Sequence, residues 1–279
     1  MLILDPTSFP KKGKESVGVQ RQWCGRLGKK ENCQVATFLA YASRVEFALV
    51  PPAQKQVDRR LYLPEVWIED KARCDKAGIP PEHQVMKTRH QQALEMINGR
   101  GKMLPHKWIA GDDEMGKVPW FRRKLRDQNE SYMFAIPSNI LIMDLDTPIT
   151  TCRHCGEKHE REFVNVSDWA KNIPAKKWKT IKVRQGHKGW LTVKLVRCRV
   201  RAKIENEIGD EETLIVSKWR EDNGKPRCDY RQRWFASAKR RGAMSRLTCM
   251  NTQKSSSRRI ALKKVFTVRK ANAVWRIIR

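Results

Sequence analysis

The first fifty residues contain short apolar runs and alternations of the kind found in β-strands. These patterns predict strands at residues 2–5, 17–23, 32–43 and 45–50. The first strand ends on an acid, Asp5, and Pro6, Pro10 and Gly13 predict a loop directly after it. The beginning of the chain is therefore expected to form a sheet that is mostly covered.

Helix and strand patterns alternate further along the chain. Apolar residues at helical spacing predict a helix from Glu82 to about Ile97. The pattern then predicts a strand at 106–110, a basic helix at 118–126 and a strand at 132–136. This order of elements indicates an α/β fold, in which a mixed sheet carries flanking helices.

Residues 146–237 have a different character, because strand patterns follow one another there at 179–184, 191–201, 213–219 and 230–235. We therefore expect three parts, which are a core domain at 1–145, a β-rich insertion subdomain at 146–237 and a poorly ordered basic tail at 238–279. Trp169, Trp178 and Trp190 lie among cations of the insertion. They either stack on unpaired bases or close a small β-core, and the second role is the more common one.

The charge of the chain points to a class of partner. The 279 residues include 58 Lys and Arg against 30 Asp and Glu, which gives a formal net charge of +28. A folded chain this basic most often binds nucleic acid, although composition does not separate nucleases from ribosomal proteins. No apolar run is long enough to span a membrane, and the first residues lack the layout of a signal peptide. We expect a cytoplasmic, nucleoid-associated protein.

Two acids stand at the carboxyl ends of predicted strands, where open α/β sheets build their sites. Asp5 ends the first strand, and Asp112 follows the strand at 106–110. Neighbouring carboxylates can hold divalent metal, because hard cations prefer carboxylate oxygen, and two such metals support phosphodiester chemistry. From the pattern alone, an Asp that caps a strand-end turn is the more common explanation.

A group of basic residues follows the first acid closely, at Lys11, Lys12, Lys14, Arg21 and Arg26. On a loop beside a metal site, they would bind phosphates through their charge. On an ordinary surface, the same residues would form a solvated basic loop. The segment by itself leaves both interpretations open.

The eight cysteines are irregularly spaced, which argues against a disulfide scaffold in a chain of this length. Cys152 and Cys155 form a CxxC motif and, with His159, resemble half of a zinc site. A closed structural site needs four ligands, and Cys198 or Cys228 could complete it. The alternative is a surface β-turn with two free thiols.

Several blocks of this sequence resemble the transposases of bacterial insertion sequences, a group of DDE superfamily endonucleases with an RNase H-like core. The blocks are LDPTSFPKKG at 4–13, SVGV at 16–19, RQWCG at 21–25, NCQV at 32–35, FLAYA at 38–42, WIAGD at 108–112 with Gly116 and Phe121-Arg122, YMFAIPSN at 132–139, and IKVR at 181–184 with Gly186 and Gly189. The resemblance spans residues 1 to about 237. It implies an RNase H-like α/β fold with a β-rich insertion.

The resemblance also implies a function, cut-and-paste DNA transposition. Members of the group use two Asp and one Glu to hold two Mg²⁺ or Mn²⁺ ions. Asp5 matches the first acid and Asp112 the second, with Asp113 as the alternative for the second position. Many relatives have two adjacent acids in the first block, whereas Pro6 follows Asp5 here. The implied partners are transposon-end and target DNA, and a second copy of the chain is a further candidate.

The third acid of the group is absent from this chain. Relatives carry it in a block HRIEE after the insertion, followed by KGE and GLADY, whereas residues 230–279 contain 15 Lys or Arg and no acid. A shifted reading frame takes the last base of each codon together with the first two bases of the next codon. In that frame, the codons of residues 262–278 can encode the sequence EExFxxxKGExGLADY, which contains the missing blocks. We infer a frameshift before Ile260, near residue 240.

The start of the chain also differs from the group, because Met1 stands one residue before the first predicted strand. We therefore expect a truncated N-terminus, and we interpret the chain as a transposase remnant that is inactive as written. The alternative is a non-catalytic DNA-binding protein, or an inhibitor of an intact transposase.

The frameshift makes a prediction about the coding DNA. Read in the shifted frame, the DNA from about codon 245 should encode the EE, KGE and GLADY blocks and continue past codon 279 as similar protein. Nucleotide sequencing of the gene decides this. Stop codons scattered through that frame between codons 245 and 279 would show that the inference is wrong.

Overall fold

The computed structural model of the chain describes residues 1–42, 55–149, 154, 160–186, 189–204, 207–221 and 229–238. The chain divides into two compact units, unit 1 at residues 1–110 and unit 2 at residues 111–279. The strand predicted at 45–50 and almost all of the tail lie outside the described residues, and the finer division at 145 and 237 stays a prediction. No helix in the described part of the chain is long and apolar enough to cross a membrane.

Unit 1 is a sheet with helices packed on it. Its strands are β1 (Leu2–Pro10), β2 (Gln20–Cys24), β3 (Lys29–Tyr41), β4 (Lys55–Leu61) and β5 (Ile109–Gly111), and its α-helices are α1 (Glu65–Glu69), α2 (Lys71–Lys76) and α3 (Arg89–Asn98). Short 3₁₀ helices span Pro81–His83 and Arg100–Met103. The strand order is β2-β3-β1-β5, and β4 also pairs with β3. β3 therefore organises the unit, since three strands pair with it.

β1 continues through the two prolines that predict a loop, so the expectation that this strand ends at Asp5 is wrong. The backbones of Met1 and Ala42 bond to each other reciprocally. In an antiparallel pair such bonded positions alternate along the strand, so the backbone N positions of Pro6 and Pro10 face away from β3. A proline there costs no bond to β3, which is why the strand can tolerate both.

The helices of unit 1 cover one face of its sheet. Cys33, Val35, Thr37 and Leu39 alternate along β3 and are buried. The Thr37 hydroxyl lies 3.4 Å from the side-chain oxygen of Gln92 on α3. This helix begins at Arg89 rather than at the predicted Glu82, because a capping box formed by Thr88 and Gln91 sets its start.

Unit 2 is built from longer strands and short helices. Its strands are β6 (Tyr132–Ile136), β7 (Leu141–Asp144), β8 (Val164–Asn165), β9 (Lys179–Gly186), β10 (Gly189–Ile204), β11 (Glu207–Glu221) and β12 (Asp229–Ala238), and its helices are α4 (Asp113–Gly116), α5 (Pro119–Asp127) and α6 (Val166–Lys171), with a 3₁₀ helix at Ala175–Lys177. The strand order is β6-β12-β11-β10-β7-β8, and β9 also pairs with β10. The strands predicted from residue 132 onward and the basic helix are confirmed.

Unit 2 has a hydrophobic core to which both β6 and β7 and residues of the predicted insertion contribute, since Ile136 and Ile142 belong to it. Val200, Leu214 and Val216 are buried members of this core, and the side chains of Trp169 and Trp178 pack against it. The Trp169 indole also donates to Asp144 at 2.8 Å. These two tryptophans therefore have the core role that the sequence favours, and the predicted α/β class is confirmed in both units.

Candidate functional site

Asp5, the first predicted acid, lies half-buried on β1. The Thr7 hydroxyl lies 3.5 Å from its Oδ2 atom. Asp5 pairs with Phe38 on β3, and directly opposite residues of an antiparallel pair share a face of the sheet. The carboxylate therefore belongs to the face opposite the buried row of Cys33 and Leu39.

We call this side of the unit 1 sheet the Asp5 face. Side chains two apart on a strand share a face, so the face includes every second residue of β3 counted from Phe38. Arg21 and Trp23 belong to it as well, because they pair with Asn32 and Lys30 on β3. On β1, β2 and β3 the face consists of Ile3, Asp5, Thr7, Phe9, Arg21, Trp23, Lys30, Asn32, Gln34, Ala36, Phe38 and Ala40.

The predicted basic loop crosses β3 on the Asp5 face. The Asn32 side-chain amide donates to the carbonyls of Lys11 and Gly13, each at 2.9 Å, and the Gln34 amide donates to the carbonyl of Val17. The five predicted DNA-binding residues Lys11, Lys12, Lys14, Arg21 and Arg26 are all exposed. The fold thus brings the loop and the first acid to one side of unit 1, and a role for them in binding DNA stays a prediction.

Asp112, the second predicted acid, is the N-cap of α4, and its Oδ1 atom accepts the Met115 amide at 3.3 Å. The capping role considered from the sequence is therefore present. Asp113, the alternative acid, lies exposed in the first turn of the same helix. Within the described ranges, no group of three or more His, Cys, Asp or Glu side chains could hold a metal ion.

The glycine that ends α4 lets the helix lie directly against β6. A Cβ atom at Gly116 would stand 1.8 Å from the Ala135 carbonyl oxygen and 2.8 Å from the Cβ of Phe134. Any side chain there would push the helix away from the strand. This contact explains why a glycine follows Asp112 at this spacing, and it holds the turn that Asp112 caps.

A buried ion pair supports the turn that Asp112 caps, and the sequence pattern did not predict this pair. Arg122 on α5 binds Glu212 on β11 through two bonds, at 2.8 and 3.0 Å, and both side chains are almost completely buried. Arg122 also donates to the Gly116 carbonyl at the end of α4. The Tyr132 hydroxyl on β6 donates to Glu212, so one carboxylate ties three elements of unit 2 together.

Burial and charge act in opposite directions on Glu212. Burial alone would raise the pKa of its carboxyl, but the charge and hydrogen bonds of Arg122 outweigh burial and hold the pKa below its ordinary value. Burial also raises the pKa of Tyr132, as does the Glu212 charge, so its hydroxyl remains a donor. A signal for this pair exists in the sequence, because Glu212 stands in the same alternation as the buried Leu214 and Val216.

The structure gives Cys198, a suggested zinc ligand, another partner. Its thiol donates to Asp144 at 2.9 Å. Burial by itself raises the pKa of Asp144, but hydrogen bonds from Cys198, Trp169 and Thr147 lower it to about 2. Cys152, Cys155 and Cys228 lie outside the described residues, so a zinc site at Cys152 and Cys155 stays a prediction.

Comparison with known protein families gives a match over most of the chain. Residues 1–190 match the family described as DDE superfamily endonuclease. This segment contains both predicted acids and the basic loop, and it includes all of unit 1. No curated protein matches the chain.

The buried pair makes a prediction about stability. Glu212→Gln should lower the free energy of unfolding by about 3 kcal/mol, because the Arg122 charge would stay buried without a counter-charge. Glu211→Gln is the matched control on the same strand, since that side chain is exposed, and it should change stability by less than about 0.5 kcal/mol. Urea unfolding of the three proteins measures both effects.

The same pair also determines how stability responds to acid. Folding lowers the pKa of the Glu212 carboxyl from its ordinary value of 4.5. Such a carboxyl stabilises the folded protein at any pH above its pKa in the unfolded chain. The stabilisation is lost as the pH falls through the pKa of the folded state. The unmodified chain should therefore lose stability below about pH 4.5 more steeply than Glu212→Gln. Equal slopes for the two proteins would contradict the assignment.

Proposed function

Because the chain belongs to the DDE superfamily endonucleases, as the match over residues 1–190 shows, we propose that it is a DDE-type DNA transposase that has lost its third metal-binding acid. The observation that carries this proposal is the family match. The matched segment contains Asp5 and Asp112, the two acids that the sequence resemblance assigns to the metal site. In this proposal the chain binds transposon DNA and is inactive in cutting and joining it.

Asp5 and Asp112 are the proposed metal ligands. Their carboxylates supply the hard oxygen donors that Mg²⁺ and Mn²⁺ prefer. Within unit 1 the Leu2 amide of β1 donates to the Trp108 carbonyl at 2.9 Å, immediately before β5, and Asp112 follows β5 by one residue. That the two acids share a metal site is part of the proposal and rests on the family match.

Two such metals, when bound, would activate water and then a 3′-hydroxyl and would stabilise the leaving oxygen. Neighbouring residues of the chain would orient the two carboxylates that hold the metals. The cap bond from the Met115 amide restricts the Asp112 side chain, and the packing of Gly116 on β6 fixes the turn that carries it. Asp5 would be oriented by its strand and by the nearby Thr7 hydroxyl.

The loss of activity follows from the charge of the site. Two divalent ions close together need several carboxylates to offset their repulsion, and after Asp229 the chain contains no Asp or Glu. Within the insertion, Glu212 is already committed to Arg122. Asp5 and Asp112 alone would therefore hold the metals weakly.

DNA binding does not need the third acid. The exposed Lys11, Lys12 and Lys14 lie on the same side of unit 1 as Asp5, and each phosphate contact contributes separately. This arrangement also favours the second candidate function, a non-catalytic DNA-binding protein that inhibits an intact transposase by occupying its DNA or by joining it as an inactive subunit.

The first test of the proposed function is catalytic. The chain as written should bind Mn²⁺ weakly and should not nick element-end DNA, because it lacks the third carboxylate. The frame-corrected chain should bind Mn²⁺ more tightly and nick, and Asp112→Ala in that chain should abolish nicking, whereas its neighbour control Asp113→Ala should not. Robust nicking by the uncorrected chain, lost on Asp112→Ala, would show that a different acid completes the site.

The second test concerns phosphate binding. The affinity for duplex DNA should fall about 1,000-fold or more between 50 and 200 mM salt, if six or more phosphates are neutralised. Replacing Lys11, Lys12 and Lys14 with Gln should reduce the magnitude of the slope of log affinity against log salt concentration by up to about 3. The control replaces Lys176, Lys177 and Lys179, three exposed lysines of unit 2, and removes the same charge.

Fluorescence anisotropy titrations at several salt concentrations measure these slopes. The control variant should keep the slope of the unmodified chain. Equal slopes for the two triple variants would refute a specific role for the loop, and a flat salt response of the unmodified chain would refute phosphate binding altogether.

A further inference from the structure

Trp23 is the most exposed of the tryptophans whose side chains the structure describes. Its exposed fraction is 55%, whereas Trp67 in the same unit is 1% exposed. Trp23 also differs from Trp169 and Trp178, which pack on the hydrophobic core of unit 2.

Cations surround this tryptophan on the Asp5 face. Arg21 precedes it by two residues on β2 and therefore projects from the same side, and Lys30 lies directly opposite it on β3. Arg26 follows in the exposed turn between the two strands. A flat aromatic ring between positive charges is the combination that binds unpaired nucleic acid, because the ring stacks on a base while the cations contact phosphates.

Hydrogen bonds hold the backbone of the hairpin that carries Trp23 in a defined conformation. In the turn, the amides of Leu27 and Gly28 both donate to the Cys24 carbonyl, at 3.0 and 2.9 Å, and Gly28 adopts a positive φ of 68°. The Gln22 side chain bonds to the Cys33 carbonyl at 2.9 Å, and the Gly25 amide bonds to the Ser8 hydroxyl. A ligand that stacks on Trp23 therefore orders little additional chain.

The register of the sheet relates Trp23 to the first acid. Asp5 is opposite Phe38 and Trp23 is opposite Lys30, so the two positions are about 27 Å apart along β3 at about 3.4 Å per residue. The basic loop crosses β3 between them, where Asn32 binds it. The Trp23 ring, the basic loop and the Asp5 carboxylate thus lie one after another along the Asp5 face.

We propose that Trp23 is a base-stacking residue, which takes an unpaired base of a DNA strand whose phosphates lie on Arg21, Lys30 and the basic loop. The inference rests on the proposed function and specifies where its DNA lies. The base is unpaired or terminal, because the stacked interior of a duplex hides the faces of its bases. The strand then runs along the Asp5 face toward Asp5.

The test uses the full chain and labelled DNA of one sequence, longer than about 16 nucleotides, as a single strand and as a duplex. Trp23→Leu keeps an apolar side chain but removes the ring, and it should weaken binding of the single strand by about 10-fold. Trp23→Phe should recover most of the affinity. Leu27→Ala is the matched control, since Leu27 is an exposed apolar residue of the same hairpin, with an exposed fraction of 47%.

The salt dependence separates stacking from charge. Trp23→Leu should lower the affinity without changing the slope of log affinity against log salt, because the ring contacts no phosphate, whereas Lys30→Gln should reduce the slope by about 0.7 on a single strand. A single strand carrying 5-iodouracil should crosslink to Trp23 on irradiation, and mass spectrometry should identify the residue. The loss should be larger for the single strand than for the duplex.

The contrary results are distinct. If the chain binds DNA with a steep salt response but Trp23→Leu behaves like Leu27→Ala, base stacking is refuted while the proposed function stands. If Trp23→Leu changes self-association in sedimentation and leaves DNA affinity unchanged, Trp23 belongs to an interface between copies and the inference is wrong. If the chain binds neither form of DNA, both the inference and the proposed function fail.

Discussion

The antiparallel pairing of β1 with β3 determines which side of unit 1 each functional residue faces. The register runs from Leu2 opposite Tyr41 to Pro10 opposite Cys33, and a slip of one residue would move every side chain of β1 to the other face. Helix α3 covers one of these faces, so the wrong register would bury the Asp5 carboxylate against apolar residues. The basic loop depends on the same pairing, because it is held by β3 side chains that share the face of Asp5.

In unit 2 the corresponding constraint is a buried charge pair. Arg122 and Glu212 connect α5 with the insertion strand β11, and Arg122 also binds the end of the short helix that Asp112 caps. A buried ion pair contributes little net stability, but removing one partner leaves a buried charge without compensation. The strand β11 is therefore part of the structure that supports the turn capped by Asp112 within this unit.

The two activities proposed for the protein, metal-dependent catalysis and DNA binding, have different physical requirements. Holding two divalent metals depends jointly on all the carboxylates of the site, so the loss of one acid removes much of the function. Binding DNA depends on many separate phosphate contacts, each of which contributes a similar share. In the proposed function, a chain that lacks the third acid therefore still binds DNA, and residues 230–279, with 15 Lys or Arg and no acid, add no negative charge that would oppose this binding.

The sequence by itself determined the α/β class, the strand at 132–136 and the basic helix predicted at 118–126, because these depend on local periodicity. It also indicated Asp5 and Asp112 as candidate acids, through short motifs. It missed the extension of β1 through Pro6, because the tolerance for proline depends on which backbone groups face the partner strand. The buried Arg122–Glu212 pair and the common face of Asp5 and Trp23 were decided by the tertiary structure alone. Alternation shows which residues of one strand share a side, but the pairing register that relates separate strands is a long-range property of the folded chain.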